Sequence, residues 1–176
     1  MPFEFQILDY IQQLHTPILD KLMVFVSGLG DKGAVWILLA AVLLIIPKTR
    51  KAGVFVAVAL VLDVLLCNIV LKPLVARIRP YDVNTAVEVL VAKPKDFSFP
   101  SGHTAASFAA ASALWFSKEK WLWKPAFVLA VLIALSRMYL YVHYPTDVLG
   151  GVILGILCGA LAKKIYSYYN IVIRKD

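Results

Sequence analysis

Residues 52–71 have the sequence AGVFVAVALVLDVLLCNIVL, an apolar run interrupted by Asp63 and Asn68. A helix needs ~20 such residues to cross about 30 Å of hydrocarbon. The composition of the whole chain agrees, because 61% of its 176 residues are hydrophobic and only 16% are charged. A water-soluble domain of this size needs a more polar surface, so the sequence predicts an integral membrane protein.

Other apolar stretches predict further helices of the same bundle. They are residues 34–46, 104–116, 125–142 and 148–165. The second of these is rich in Ala and Ser, which suits a helix packed inside a bundle. In the last, Gly151, Gly155 and Gly159 form one stripe where another helix can approach closely. We therefore expect an all-α, integral-membrane helical bundle of about five transmembrane helices, forming a single domain over residues 1–176.

The N-terminal residues predict interfacial helices. In residues 3–14 the apolar side chains recur at helical spacing, and the polar side chains lie elsewhere on the helix. Such a helix lies along the membrane surface. A second short apolar segment covers residues 18–29 and ends in a glycine-rich turn. We expect residues 1–30 to form an amphipathic segment and residues 34–165 to form the bundle, although a membrane crossing within 1–30 stays open.

Basic residues indicate how the bundle is oriented. Lys and Arg cluster after the first, third and fifth predicted spans, at residues 48–51, 118–124 and 163–175. Since short cytoplasmic loops collect Lys and Arg, we expect these loops and the C-terminus in the cytoplasm of a bacterial cell. The 72–103 connection and the region around His143 then face the outside of the plasma membrane.

Three stretches of chemically active residues share this outward face. They are Lys72 with Arg79-Pro80, then Pro100-Ser101-Gly102-His103, and then Ser136-Arg137 with His143 and Asp147. Lys72 and Arg79 can direct fixed positive charge at one point, and Arg offers a planar fork of donors for phosphate oxygens. The alternative for these two residues is snorkelling, in which basic side chains at a helix end reach for lipid headgroups.

The second stretch leads directly into the Ala-rich helix. Ser101 is a candidate N-cap, and the free N–H groups and positive dipole end of a helix start favour an anion. Gly102 permits an anion to approach the backbone closely, with His103 beside it. The alternative is an ordinary capped helix that happens to carry a histidine.

The third stretch combines a cation with a histidine and a carboxylate. Arg137 lies inside an apolar span, where a charge is costly and usually faces a polar interior. Asp147 follows His143 by four positions, and a carboxylate beside one ring nitrogen leaves the other nitrogen free to attack or to ligate. A structural His–Asp cap is the alternative. The three cations would repel a metal ion and hold a phosphate, so we expect no metal and no cofactor.

Taken in order, Lys72-x6-Arg79-Pro80, Pro100-Ser101-Gly102-His103 and Ser136-Arg137-x5-His143-x3-Asp147 resemble the three-part signature of the type 2 phosphatidic acid phosphatase family. That family shares its site with vanadium haloperoxidases. The resemblance covers residues 72–151, and the expected number of helices agrees over the rest of the chain.

The resemblance implies a role for each signature residue. His143 would be the nucleophile that forms a phosphohistidine, Asp147 would orient its ring, and His103 would act first as general acid and then as general base. The phosphate oxygens would be held by Lys72, Arg79, Arg137, Ser101 and Gly102. Phosphoryl transfer needs little beyond positioning and stabilisation of charge, so we expect metal-independent hydrolysis.

The sequence thus predicts a membrane lipid phosphatase whose substrate keeps its tail in the bilayer. Undecaprenyl diphosphate, phosphatidylglycerol phosphate and phosphatidic acid all fit, and family analogy favours the first two. One alternative is a non-enzymatic anion or lipid-phosphate transporter that uses the same basic pocket, and another is a haloperoxidase. We expect the lipid phosphate and the bilayer as partners and no nucleic acid, while the oligomeric state is not indicated.

The remaining polar residues have weaker signals. Asp63 and Asn68 predict a buried polar network that supports Lys72. An interfacial aromatic belt is expected for Tyr139, Tyr141 and Tyr144. Steering of anionic headgroups and plain solvated loop charge are both open for Arg77, Lys93 and Lys95.

Overall fold

The computed structural model describes residues 2–118 and 120–173, and these residues form helices, turns and loops with no strand among them. The helices are α1 (Pro2–Gln12), α2 (Pro17–Leu29), α3 (Ala34–Ile45), α4 (Arg50–Asp63), α5 (Lys72–Val75), α6 (Pro80–Val83), α7 (Gly102–Ser117), α8 (Lys120–Tyr139) and α9 (Pro145–Ile173). A 3-10 turn, Asp31–Gly33, joins α2 to α3, and a π-helical segment, Val64–Leu71, continues α4 into α5. The all-α class is confirmed.

The Ala-rich helix α7 lies at the centre of the bundle, where it packs against α4, α8 and α9. Most of its side chains are buried, and their small size lets the neighbouring helices come close. A Cβ atom added to Gly155 on α9 would lie 2.5 Å from the carbonyl oxygen of Ala105 on α7. The prediction that the glycine stripe is a close helix contact is therefore confirmed.

Three stretches of the described chain are long and apolar enough to cross a membrane, namely Arg50–Val83, Trp121–Tyr139 and Pro145–Ile171. The pair Pro17–Leu29 and Asp31–Ile45, bent by 44°, is a fourth candidate. The membrane bundle is confirmed, but the number of five spans is not. Helix α7 has only 16 residues and is covered by protein rather than lipid, so its length need not match the bilayer.

The N-terminal helices cover the junction between α8 and α9 instead of leaving it at the surface. Leu8 of α1 packs in a buried cluster with Tyr139, Tyr141 and Tyr144. The Tyr139 hydroxyl donates to Asp20 at 2.6 Å, and the Tyr141 hydroxyl donates to Asp9 at 2.7 Å. The predicted belt of these three tyrosines is therefore wrong, because α1 and α2 bury the rings and bond the hydroxyl groups of Tyr139 and Tyr141.

Candidate active site

The three signature stretches meet at one end of the bundle, where α5, α6, α7 and α9 begin and α8 ends. A backbone hydrogen bond joins two of the stretches directly, since the Ser101 N–H donates to the Asp147 carbonyl at 3.0 Å. Arg79 and His143, from the first and third stretches, are also in contact. The convergence that the sequence predicts is thus present in the structure.

His143 lies in the short connection between α8 and α9, between a guanidinium and a carboxylate. Its Nε2 is 3.2 Å from Arg79 Nη1, and its Nδ1 is 3.6 Å from Asp147 Oδ2. Because a guanidinium can only donate, Nε2 carries the lone pair, and the proton is assigned to Nδ1, facing Asp147. Burial lowers the pKa of His143 to about 3, with Arg79 and Arg137 acting in the same direction and Asp147 opposing them. The ring is therefore neutral and can act as a nucleophile.

The Asp147 carboxylate is fixed from several sides. Its Oδ2 accepts from the Ser98 hydroxyl at 2.5 Å and from the Tyr144 N–H at 2.9 Å. Its Oδ1 accepts from Arg77 Nη1 at 2.6 Å. Neither open interpretation of Arg77 fits this contact, because its side chain is only 15% exposed and is neither a solvated loop charge nor free to steer headgroups.

Asp96 engages two of the cations that were predicted to hold phosphate. Arg79 Nη2 donates to Asp96 Oδ1 at 2.7 Å, and the Lys72 ammonium pairs with the other carboxylate oxygen. Partial burial would raise the pKa of Asp96, but the contacts with Lys72 and Arg79 hold it at about 2. Sequence reasoning missed this residue, since a lone carboxylate in a loop gives no signal of the two cations that fold onto it.

The second histidine of the site, His103, contacts the turn between α2 and α3, and the nearby Arg137 contacts α2. His103 Nε2 is 2.8 Å from Asp31 Oδ1, which lies in the turn between α2 and α3. Arg137 donates through Nη1 to the Ser27 hydroxyl of α2. Its buried Nε has no hydrogen-bond partner among the described residues. No pattern in the sequence indicates that α2 and this turn contribute to the site.

The start of α7 lies beside Lys72. Ser101 occupies the N-cap position as predicted, but its hydroxyl makes no capping bond and accepts from Thr104 Oγ1 at 2.9 Å. A Cβ added to Gly102 would lie 3.6 Å from Lys72 Nζ, an ordinary van der Waals distance. The first turn of α7 therefore lies next to the ammonium group.

The predicted network of Asp63 and Asn68 with Lys72 is not formed. Asn68 does lie beside Gly102, as Lys72 does, but the ammonium group pairs with Asp96. Asp63 Oδ1 has no hydrogen-bond partner within the described chain. An ionised carboxylate is a stronger partner for an ammonium group than a neutral amide is, which explains why Asp96 takes the contact.

A cavity of about 320 Å³ reaches this end of the bundle, lined by residues that include Lys72, Asp96, Gly102, His103 and Asp63. His143 is not among its lining residues. Asp96 borders the cavity and also bonds Arg79, which in turn contacts His143, so a chain of two contacts links the cavity to that ring. In the described part of the chain, no group of three His, Cys, Asp or Glu side chains could hold a metal ion.

Known proteins show similarity over nearly the whole chain. The family model described as the PAP2 superfamily matches residues 52–171. Over 163 residues the chain is 37% identical to a protein named undecaprenyl-diphosphatase from Sulfolobus acidocaldarius, covering 93% of this chain and 77% of that one.

Two crystal structures resemble the fold. One is a transmembrane PAP2 type phosphatidylglycerolphosphate phosphatase from Bacillus subtilis, with a TM-score of 0.77 and 29% identity, covering 95% of this chain and 86% of that one. The other is LpxE from Aquifex aeolicus, with a TM-score of 0.79 and 31% identity, covering 91% of this chain and 94% of that one.

Proposed function

The chain belongs to the PAP2 superfamily, and from this premise we propose that it removes the terminal phosphate of an isoprenoid diphosphate through a phosphohistidine at His143. It is an integral membrane hydrolase that acts on lipid phosphates, as the phosphatase names of its relatives indicate. The transporter alternative predicts binding without turnover, and these relatives do not favour it.

The observation that carries the proposal is the setting of the His143 ring. Nε2 is unprotonated and faces Arg79, while Nδ1 faces the Asp147 carboxylate. A neutral imidazole with its far nitrogen next to a carboxylate is poised to accept positive charge when the near nitrogen forms a bond. Arg79 stands beside that nitrogen, where it can stabilise the transferring phosphoryl group.

In the first step, the His143 Nε2 lone pair attacks the terminal phosphorus. The bond from that phosphorus to the leaving oxygen breaks, and His103 donates a proton to this oxygen. Burial and Arg137 hold the pKa of His103 at about 4 in the free protein, so His103 takes up this proton when the negative charge of the bound phosphate raises that pKa. The enzyme then carries a phosphohistidine, with the Nδ1 proton of the charged ring directed at Asp147. Because the transition state spreads charge over the equatorial oxygens, fixed cations can supply most of the stabilisation.

In the second step, the same two histidines exchange roles. His103 accepts a proton from water, and the water oxygen attacks the phosphorus of the phosphohistidine. The phosphorus–nitrogen bond breaks, the electron pair returns to His143 Nε2, and inorganic phosphate leaves. The cavity that His103 lines gives both the water and the leaving group a place next to this residue.

Binding of the phosphate requires Asp96 to give way. In the free protein the Asp96 carboxylate occupies the donors of Lys72 and Arg79. A phosphate carries more charge than a carboxylate and more acceptor oxygens, so it can replace Asp96 on both cations. Further donors are Arg137 Nε, which has no hydrogen-bond partner in the described part of the chain, and the first turn of α7, with Ser101 and Gly102 at its start.

The substrate class is argued from similarity and charge together. The relative from Sulfolobus acidocaldarius is named for a polyprenyl diphosphate, and its resemblance covers most of both chains. The three cations of the site, Lys72, Arg79 and Arg137, suit a headgroup with two phosphates. A phosphatidylglycerol phosphate is the second candidate, favoured by the similarity to the Bacillus subtilis phosphatase structure.

The site is proposed to open at the extracytoplasmic face, with the C-terminus in the cytoplasm. The support is the clusters of Lys and Arg at residues 48–51, 118–124 and 163–175, which follow the first, third and fifth predicted spans, whereas the site residues follow the second and fourth. Single cysteines introduced at Lys95 and at Lys163 would be tested with a membrane-impermeant thiol reagent on intact cells. Labelling at position 95 alone supports the orientation, and labelling at position 163 alone reverses it.

The function is tested by phosphate release from purified protein in detergent. The panel would hold undecaprenyl diphosphate, phosphatidylglycerol phosphate and phosphatidic acid, with His143→Asn as the blank. We expect the highest kcat/KM with the isoprenoid diphosphate. A higher value with phosphatidylglycerol phosphate selects the second candidate, and release at the level of the blank from every substrate contradicts the proposal.

A further inference from the structure

A closed ring of ion pairs and hydrogen bonds joins the N-terminal helix α1 to the start of α9. Arg77 Nη2 is 2.6 Å from Glu4 Oε2, and Arg77 Nη1 is 2.6 Å from Asp147 Oδ1. The same Nη1 donates to Thr146 Oγ1 at 2.7 Å. Thr146 in turn donates its hydroxyl to Glu4 Oε1 at 2.6 Å, which completes the ring.

The ring holds the Arg77 guanidinium in one orientation. Its plane lies over the Tyr144 side chain, with the guanidinium carbon 3.9 Å from the ring centroid. Glu4 stays ionised in this setting, because the bonds from Thr146 and Arg77 lower its pKa although burial acts in the opposite direction. A guanidinium bonded to two carboxylates and stacked on an aromatic ring has little freedom to reorient.

The contact with Asp147 bears directly on the nucleophile. Arg77 takes Oδ1, which leaves Oδ2 for Ser98, the Tyr144 N–H and the side of the ring where His143 Nδ1 lies. If the carboxylate turned, Nδ1 would lose the negative charge that it faces and the imidazole could change its tautomer. Among the described residues, Arg77 has no hydrogen bond or ion pair with His143, and it does not line the cavity that contains Lys72 and His103.

We propose that Arg77 is a positioning residue for the Asp147–His143 pair, and that Glu4 on α1 holds Arg77 in place. The inference rests on the proposed function, because it concerns how the nucleophile is oriented. It gives α1 a part in the reaction that its amphipathic pattern does not reveal. Displacement of α1 from the bundle releases Glu4, and the carboxylate behind His143 then loses its outer support.

The test compares Arg77→Ala, Arg77→Lys and Glu4→Gln with a matched control on the same helix. Asp9→Asn removes another carboxylate that ties α1 to the α8–α9 connection, because Asp9 accepts from the Tyr141 hydroxyl at 2.7 Å. Asp9 makes no contact with Arg77 or Asp147 among the interactions of the described residues. The control therefore loosens α1 without touching the ring of contacts.

We expect Arg77→Ala to lower kcat by about 10- to 100-fold, the usual effect of removing the partner of a ligand-orienting group. KM for the lipid phosphate should stay within about twofold, because ground-state binding is not affected. Arg77→Lys should recover part of kcat, since one of the two ionic contacts can be restored. Glu4→Gln should lower kcat several-fold, and adding it to Arg77→Ala should have no further effect.

Several outcomes overturn the inference. A raised KM at unchanged kcat in Arg77→Ala would show that Arg77 steers the substrate. A decrease in kcat in Asp9→Asn equal to that in Glu4→Gln would show that Glu4 acts only by docking α1 on the bundle. Thermal unfolding of each variant shows whether it is folded, and Arg77→Lys provides a second variant if Arg77→Ala does not fold. An active wild type with an unaffected Arg77→Ala protein contradicts this inference alone, whereas a wild type that releases no phosphate contradicts the proposed function as well.

Discussion

The two histidines of the site stand in opposite surroundings. His143 is 1% exposed and lies between Arg79 and the fully buried Asp147. The His103 side chain is 21% exposed, lines a cavity and faces Asp31, which is 68% exposed. A nucleophile gains from a rigid, dry setting that fixes its lone pair. A group that gives and takes protons needs access to water and to the leaving oxygen.

Because the two histidines have different roles, their replacement should lower kcat to different extents, and the larger decrease is expected for His143. Replacing it with Asn removes the nitrogen that forms the bond to phosphorus. We expect kcat to fall by about 10,000-fold or more on every substrate, including p-nitrophenyl phosphate, whose leaving group needs no proton. Phosphate release by His143→Asn above about 1% of the wild-type rate would mean that another group is the nucleophile.

The decrease in the rate of the first step in His103→Asn should depend on the leaving group of the substrate. With phosphatidylglycerol phosphate or phosphatidic acid, whose leaving group is an alkoxide that needs a proton, the missing general acid is expected to cost about 100- to 10,000-fold in kcat. With p-nitrophenyl phosphate the first step should be affected far less, so the phosphohistidine should accumulate before the slow water step. If the rate of phosphohistidine formation falls equally with both substrates, the difference between the two histidines does not hold.

Asp96 should have a smaller effect, and on binding rather than on chemistry. Since this carboxylate competes with phosphate for Lys72 and Arg79, Asp96→Asn should bind inorganic phosphate several-fold more tightly, with product inhibition measured from initial rates. Because the pKa of Asp96 is about 2, the carboxylate stays charged between pH 5 and 8, and any pH dependence of phosphate inhibition that Asp96→Asn retains in this range comes from phosphate itself. Weaker phosphate inhibition in Asp96→Asn would show that Asp96 positions the cations instead.

The smallest expected effect is that of a chelator. Because the site offers cations and histidines to the phosphate, EDTA should leave kcat and KM unchanged within experimental error, and added Mg²⁺ should not raise them. Vanadate, which adopts the geometry of the transferring phosphoryl group, should inhibit. Activity that disappears in EDTA and returns with Mg²⁺ would contradict this account of the charge stabilisation.

The sequence predicted the residues that meet at the site better than it predicted their partners. Lys72, His103 and His143 stand in short motifs with fixed spacing, so their convergence followed from the spans and loop charges. Asp31, Asp96 and Ser27 come from a turn, a loop and a helix that only the tertiary fold brings to the site. Their positions in the sequence give no sign of this, because nothing local distinguishes them from solvated polar residues.

For the fold as well, local features could be predicted from the sequence and tertiary contacts could not. Hydrophobic length correctly predicted an all-α membrane bundle, and the Gly151, Gly155 and Gly159 stripe predicted the contact with α7. Burial by other helices could not be predicted from hydropathy, which treats an apolar face towards lipid and one towards protein alike. For this reason the tyrosines near His143 were assigned to a membrane belt, although α1 and α2 bury them.

The most direct test of the account is to trap the covalent intermediate. Wild-type protein would be mixed with a lipid diphosphate labelled in its terminal phosphate, quenched in alkali within milliseconds, digested and mapped by mass spectrometry. The account predicts a phosphoryl group on His143 that is lost in acid and absent from His143→Asn. A label on another residue, or full turnover with no labelled protein at any quench time, would contradict it.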